Sequence, residues 1–391
     1  MSTKIAVGID IGTYQIKVVV ASLEKGTRTQ PAIIGTGLAE SRGLRHGYVI
    51  NIHEVSKGLR KALDQAEKTS KIKIKRAFLS VGGIGLSGTL CQSSVIVSRG
   101  DSEITDLDIK KGLDASENEI PQAISLNRKI IHVIPVQFKL DGKIVYGRPV
   151  GMKGTRLEIR SLFVSSLSQH LEDLIDAVEE AGVEVEDVMA APLAASLVTL
   201  SRAQKIAGCV LANIGAETVS IVVFENNIPI SLEVFPIGST DITNDIALGL
   251  KVPLNEAEQI KLGGITSTSY PRKKLEEIIE ARLSDIFELI EAHLKKMGKQ
   301  ELLPAGIILT GGGSGVGTIE DLAKAALKLP SKIGEVVFGN GKPGEVKDST
   351  WAVAYGLCIL GLNQEESASF GTQSIQNTKN TLVSWVKQFL P

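Results

Sequence analysis

Asp10 and Lys17 flank a turn that could hold a phosphate. They lie in Gly8-Ile9-Asp10-Ile11-Gly12-Thr13-Tyr14-Gln15-Ile16-Lys17-Val18-Val19-Val20. One apolar run enters an Asp/Gly/Thr turn and a second leaves it, which predicts a β-hairpin. The turn would offer a carboxylate, main-chain N–H groups and a hydroxyl at the end of two buried strands. A phosphate with its Mg²⁺ needs such a group: donors for its oxygens at Gly12 and Thr13, and a hard anionic oxygen, Asp10, for the metal or its water. Lys17, on the outgoing strand, can reach the same phosphates. The same letters also suit an ordinary turn.

The stretch occurs twice. Leu211-Ala212-Asn213-Ile214-Gly215-Ala216-Glu217-Thr218-Val219-Ser220-Ile221-Val222-Val223 overlays it without a gap. Asn213 falls on Asp10, Gly215 on Gly12, and Ile221 to Val223 on Val18 to Val20. Two copies of one hairpin predict two related domains facing each other across a cleft. A third element, Leu309-Thr310-Gly311-Gly312-Gly313-Ser314, reads as a strand ending in glycines before a helix. Backbone without side chains there lets a flat ligand approach closely. Hairpin, hairpin and strand–Gly-Gly-Gly–helix, in this order, resemble the nucleotide site of the actin, Hsp70 and sugar-kinase superfamily. The resemblance implies an α/β, actin/Hsp70-like two-domain ATPase fold with duplicated RNase H-like halves.

Composition fits that class. The chain has 391 residues, enough for several domains, with few aromatics and abundant Gly. With 43 basic and 44 acidic side chains, it has no basic excess that would point to nucleic acid. Cys91, Cys209 and Cys358 are scattered without metal spacing, as expected in a reducing cytoplasm. His132, in an apolar run, reads as a core residue rather than a ligand. No signal peptide precedes the first strand, and no apolar run approaches the ~18 residues of a membrane span. Any membrane contact is then expected to be peripheral.

Periodicity predicts a helix over Val55–Lys68, a strand over Ala77–Val81 and a polar helix near Asp106–Asn118. Around the last, short strands suggest a small inserted α+β domain. Its series His132-Val133-Ile134-Pro135, Phe138, Asp141-Gly142 and Pro149-Val150-Gly151-Met152-Lys153-Gly154-Thr155-Arg156-Leu157-Glu158 looks like that of the bacterial division family FtsA, as do Ser98-Arg99-Gly100 and Glu103-Ile104-Thr105. The match runs from Lys4 to about Gly361. It implies subdomain 1A over 1–85 and 167–205, subdomain 1C inserted over 86–166, 2A over 206–239 and 304–362, and 2B over 240–303. Pro236 to Ala247, with Gly238 at its turn, is similar to a family turn and helix. Glu258 and Lys261, at i,i+3, resemble a pair that reaches ribose and adenine; alone they would suit a surface ion pair. Gly311, Gly312 and Gly313 are implied to lie along the adenosine.

After Leu362 the composition turns polar and Ser/Gln-rich, a linker over 363–378 with little to bury. About 15 such residues reach about 20 Å. Over 379–391, Leu382, Val383, Trp385, Val386, Phe389 and Leu390 collect on one side of a helix. With Lys379 and Lys387 towards anionic lipid, this reads as a C-terminal amphipathic membrane helix, and the family's membrane-targeting sequence lies at the same end. Docking on another protein is the other reading.

The resemblance implies an actin-like protein of cell division that binds ATP and Mg²⁺ and polymerises into filaments on the cytoplasmic membrane face at the septum. There it binds the C-terminal peptide of the tubulin-like protein FtsZ and helps recruit downstream divisome proteins. Arg282 is the candidate to pair with that peptide, or else a solvated helix residue. The departures from actively hydrolysing relatives are Asn213 where an acid is usual, Ala216 and Glu217 in the second turn, and Ala191 where a Glu or Gln positions water. They predict very slow turnover. The alternatives are a PilM-like cytoplasmic pilus-assembly protein binding a membrane partner's peptide, and a sugar or acid kinase, for which no obvious catalytic Asp is present.

Overall fold

The computed structural model describes residues 3–24, 31–264, 270–336 and 348–363. The first half begins with strands β1 (Thr3–Ile11), β2 (Gln15–Glu24) and β3 (Ala32–Glu40), followed by the short pair β4 (Leu44–Arg45) and β5 (Tyr48–Val49). Helix α1 (Ile52–Ser70) leads to β6 (Arg76–Val81). The insert follows: β7 (Ser87–Ile96), α2 (Asp106–Asn118), α3 (Gln122–Ser125), β8 (Arg128–Leu140), β9 (Lys143–Val145) and β10 (Arg156–Leu167). Helix α4 (Ser168–Glu180), β11 (Glu184–Ala190) and α5 (Ala191–Thr199) complete this half, and α6 (Arg202–Ala207) leads to the next.

The second half contains β12 (Cys209–Ile214), β13 (Val219–Glu225), β14 (Ile228–Phe235), α7 (Ser239–Leu250), α8 (Leu254–Lys261), α9 (Arg272–Lys296), β15 (Ile307–Thr310), α10 (Ile319–Leu327), β16 (Ser331–Ile333) and α11 (Ala352–Asn363).

The two large sheets have the same order, β11-β6-β1-β2-β3 and β16-β15-β12-β13-β14. The duplication read from the hairpins holds to the residue. Asp10 pairs with Lys17 and Asn213 with Ser220; Gly8 lies beside Phe78 and Leu211 beside Ile308 in the parallel partners. Central strands covered on both faces need nearly continuous apolar residues, and Ile9, Val18, Val19 and Val20 are fully buried, as are Leu211, Ile221, Val222 and Val223.

Helix α11 packs on β1 and β2, and α5 on β12 and β13, so each half's final helix lies on the other half's sheet. The two helices also pack on each other, and the contact has no room to spare: a Cβ on Gly356 would stand 1.9 Å from the Ala194 carbonyl oxygen. One continuous core runs from β1 and β2 through these helices to Leu211, Val222 and Phe224. A second core, with Phe287 and Ile290, lies on the far face of the second sheet.

The insert forms a four-stranded antiparallel sheet, β7-β10-β8-β9, with its own small core around Ile109, Phe138 and Ile159. Helix α2 begins in a capping box, where Thr105 N–H and Oγ1 donate to Asp108 Oδ2 (2.9 and 2.6 Å). Arg128 fastens the insert's root. Its Nη2 donates to the Gly85 carbonyl (2.6 Å), Ser87 Oγ (2.6 Å) and the Ser165 carbonyl (3.0 Å), joining the entering and leaving strands.

His132 is a core residue. It accepts the Ala190 N–H at Nε2 (3.0 Å), and burial lowers its pKa to about 3. In the unfolded chain it takes up a proton below about pH 6.5; the folded chain refuses that proton down to about pH 3. Stability is therefore lost as pH falls through this window, by about 2 kcal/mol at pH 5. Denaturant titrations should show the wild type losing that amount between pH 7 and pH 5 relative to His132→Gln, which keeps an acceptor but does not titrate. Parallel curves would refute the assignment.

Candidate functional site

The two hairpins face each other across a cleft of about 630 Å³. From the first come Asp10, Gly12, Thr13 and Lys17, and from the second Asn213, Gly215 and Ala216. Glu258 and Lys261 of α8, Gly311 and Gly312 after β15, and Ala191 at the start of α5 also line it. The hairpin turns close alike. Gly12 N–H donates to the Gln15 carbonyl (3.1 Å) and Gly215 N–H to that of Thr218 (2.8 Å). Both glycine amides are therefore spent on the turn. The next amides, of Thr13 and Tyr14, carry no hydrogen bond among the described residues and are the donors a phosphate would use.

Asp10 is crowded by protein at the cleft floor. Burial pushes its pKa up, and Lys17 and a hydrogen bond from Ser80 Oγ (2.8 Å) oppose that rise. Burial in turn lowers the pKa of Lys17, against the fields of Asp10 and Asp348. The duplication makes the contrast sharp. Asp10, Lys17 and Ser80 occupy the strand positions that Asn213, Ser220 and Thr310 occupy opposite. At these matched strand positions the first half is ionic and the second neutral; the second half's charges in the cleft come from α8.

Lys261 and Glu258 form an ion pair of 2.7 Å. Lys261 Nζ also donates to Thr243 Oγ1 (2.9 Å) and the Ser239 carbonyl (3.2 Å). An ammonium has three donors, so Lys261 is saturated. It orients Glu258, which engages the protein through Oε2 alone among the described residues.

The glycines divide by role. Gly311 has φ +87°, and a Cβ on it would stand 2.4 Å from Asn213 Oδ1. At Gly312 a Cβ meets nothing within 4 Å, so the missing side chain leaves space for a ligand. Gly313 and Gly238 do not line the cleft. Their absent side chains admit Ile214 and the Ala216 carbonyl, which would otherwise be 2.4 and 2.3 Å from a Cβ. Both support the second hairpin from behind. The helix expected directly after the glycines is a 3₁₀ turn over Gly312–Gly315; α10 starts only at Ile319.

Arg282 lies on α9 and is paired within the chain. It donates to Asp245 through Nε (2.7 Å) and Nη2 (3.1 Å) and to Asp285 through Nη1 (3.1 Å). The proposed membrane residues, Lys379 to Leu390, lie outside the described residues, as does nearly all of the linker.

Sequence reasoning missed Ser80, the lining residues Gly47, Gly82 and Gly83, Thr243, and a link across the cleft in which His46 N–H donates to Glu217 Oε2. Gly82 and Gly83 were within reach, since the repeat register places them on Gly312 and Gly313. The His46–Glu217 link left no local signal. Among the described residues no cluster of three His, Cys, Asp or Glu could hold a metal. A cation here would rest on Asp10 together with water and a ligand's own oxygens.

Comparison with known proteins agrees with this architecture. Residues 210–356 match the family model of cell division protein FtsA, and residues 87–165 match that of the SHS2 domain inserted in FtsA. Cell division protein FtsA of Borreliella burgdorferi is 31% identical over 94% of this chain and 93% of its own length. That of Bacillus subtilis is 31% identical over 84% and 78%. Among solved structures, the PilM-PilN type IV pilus biogenesis complex superposes with a TM-score of 0.69, covering 92% of this chain and 99% of that one, at 17% identity. MreB5 of Spiroplasma citri bound to ADP gives 0.50 at 12% identity, covering 91% and 96%. At such identities the likeness establishes an actin-like fold and nothing finer. Full-length sequence similarity carries the assignment further: the chain belongs to the FtsA family of cell division proteins.

Proposed function

We propose that this chain binds ATP with Mg²⁺ in the cleft, polymerises on the cytoplasmic face of the membrane at the division septum, and ties the FtsZ ring to that membrane. The observation that carries the reading is the asymmetric cleft, in which the strand pair with Asp10 and Lys17 faces one with Asn213 and Ser220 at the same positions, in a chain of this family. The residues fit the nucleotide. Asp10 would hold Mg²⁺ through water, because Mg²⁺ keeps most of its waters and takes only one or two carboxylates beside the phosphates. Lys17 and the Thr13 and Tyr14 amides would meet phosphate oxygens, and Glu258 the ribose. Gly312 would give the adenosine room.

Hydrolysis is a different matter. Ala191 has no polar group with which to orient an attacking water, Asn213 offers a neutral amide that cannot act as a base, and the Glu217 carboxylate is held by His46. ATP then acts as a structural and switching ligand, with turnover on the order of 10⁻³ s⁻¹ or slower, the scale of an unassisted phosphate site. The FtsZ peptide would dock within 240–303, and downstream divisome proteins would join the polymer. Arg282 can serve there only by sharing or exchanging its Asp245 contact. The tail, a short anchor alone, gains about 10²–10⁴ in avidity when many are linked in a filament.

The test is liposome co-sedimentation with ATP and Mg²⁺, comparing the full chain with one ending at Leu362, alongside electron microscopy and phosphate release. Filaments on anionic lipid with the full chain alone, at negligible turnover, are expected. Equal behaviour of both chains would remove the membrane role, and rapid turnover would remove the switching-ligand role.

A further inference from the structure

The chain reaches the start of its polar tail at one particular end of the molecule. Helix α11 begins at the cleft, where Val353 lines it, and runs to the opposite end of the first sheet, roughly 18 Å for its length. There the Leu362 carbonyl accepts from Lys4 Nζ (2.9 Å), at the beginning of β1. Strand β6 runs parallel to β1, with Gly8 level with Phe78. The segment entering β6, Lys71-Ile72-Lys73-Ile74-Lys75-Arg76, therefore lies at this same end, beside the root of the tail.

This segment alternates. Ile74 is buried in the core, while Lys71, Lys73 and Lys75 are exposed, as is Lys68 in the last turn of α1. Of the carboxylates at this end, Glu67 pairs with Lys73 (2.9 Å) and Glu184 with Arg76 (3.1 Å); Glu186 is exposed and lies in the fields of Arg76 and Lys4 without an ion pair among the described residues, and Glu24 stands opposite Thr3. Lys68, Lys71 and Lys75 form no ion pair among the described residues. Ile5, 42% exposed, sits at the same end.

We propose that this end, from which Lys68, Lys71 and Lys75 project and at which the tail begins, is a second lipid-contact surface that rests on an anionic bilayer. The proposal builds on the tail's membrane role: the tail holds the body within its linker's reach of about 20 Å, and the lysines draw this end the rest of the way, to within a Debye length of about 8 Å at physiological salt. It also fixes an orientation: the cleft faces away from the bilayer, open to the cytoplasm. Each lysine near an anionic leaflet strengthens binding about fivefold, so the three together contribute about ten- to a hundredfold after screening.

The experiment uses the full chain with ATP and Mg²⁺ on phosphatidylglycerol/phosphatidylcholine vesicles and on phosphatidylcholine alone. Four proteins are compared: wild type, Lys68→Gln/Lys71→Gln/Lys75→Gln, the tail variant Trp385→Glu/Phe389→Glu, and a charge control, Lys110→Gln/Lys111→Gln/Lys143→Gln. The proposal expects the first triple variant to lose about ten- to a hundredfold in affinity for anionic vesicles at 50 mM salt. That loss should shrink at high salt and be absent on phosphatidylcholine, and the control should match the wild type. If only the tail variant is released, the second surface is refuted and the tail reading stands. If only the lysine variant is released, the surface stands and the tail reading falls. Loss with the control as well, or no wild-type binding, overturns the proposal.

Discussion

Replacing Lys17 with methionine is expected to weaken ATP binding about ten- to a hundredfold, the size of one or two lost charge-assisted hydrogen bonds. The stem of Lys17 stays in place, so the hairpin should fold. What is lost is the charge opposite Asp10 in the β1–β2 register. The loss is compounded because the Lys17 field opposes the rise that burial imposes on the Asp10 pKa. Without it the Asp10 carboxyl rises further and becomes a poorer anchor for hydrated Mg²⁺. Asp10→Asn separates the two contributions. It should remove most of the gain in affinity that Mg²⁺ gives, while leaving binding in excess chelator nearly unchanged. Calorimetry with and without Mg²⁺ distinguishes them, and wild-type affinity in Lys17→Met would mean that the phosphates lie elsewhere.

The second large effect is on stability. Gly356→Ala should destabilise the fold by at least about 3 kcal/mol. Helix propensity alone forecasts the opposite sign, a gain of about 1 kcal/mol from Ala over Gly inside a helix. The Ala194 carbonyl decides: it belongs to α5 and cannot withdraw without pulling that helix off the second sheet. Gly100→Ala, where a Cβ meets nothing within 4 Å, is the control and should change stability by no more than about 0.5 kcal/mol. Chemical denaturation of both variants checks this, and a stabilised Gly356→Ala would show that the halves do not meet through these helices.

The parts of this molecule that announce themselves locally were legible. Both hairpins follow from apolar runs around a turn, and α1 and α2 from periodic apolar residues, with observed ends close to those expected. The repeat supplied the facing geometry, because a gapless overlay of two hairpins implies two like sheets. What stayed hidden depends on distant neighbours. Gly238 and Gly313 carry the same letter as Gly312, yet their missing side chains admit protein rather than ligand. A sequence shows that a Cβ is absent, not what occupies its place. Lys261 likewise shows a charge but not the three acceptors that consume it. The His46–Glu217 link joins two turns from different halves, and nothing near either residue announces the other.

The exchange of final helices also dictates an order of events during synthesis. Strands β1 and β2 leave the ribosome early, but α11, which covers one face of their sheet, follows only after more than 300 further residues. At about 5–20 residues per second, that face waits on the order of tens of seconds for its cover. During this interval Val19, Ala21 and their neighbours are candidates for chaperone binding rather than native packing. The first half therefore stays incomplete until the second half's other elements have been made.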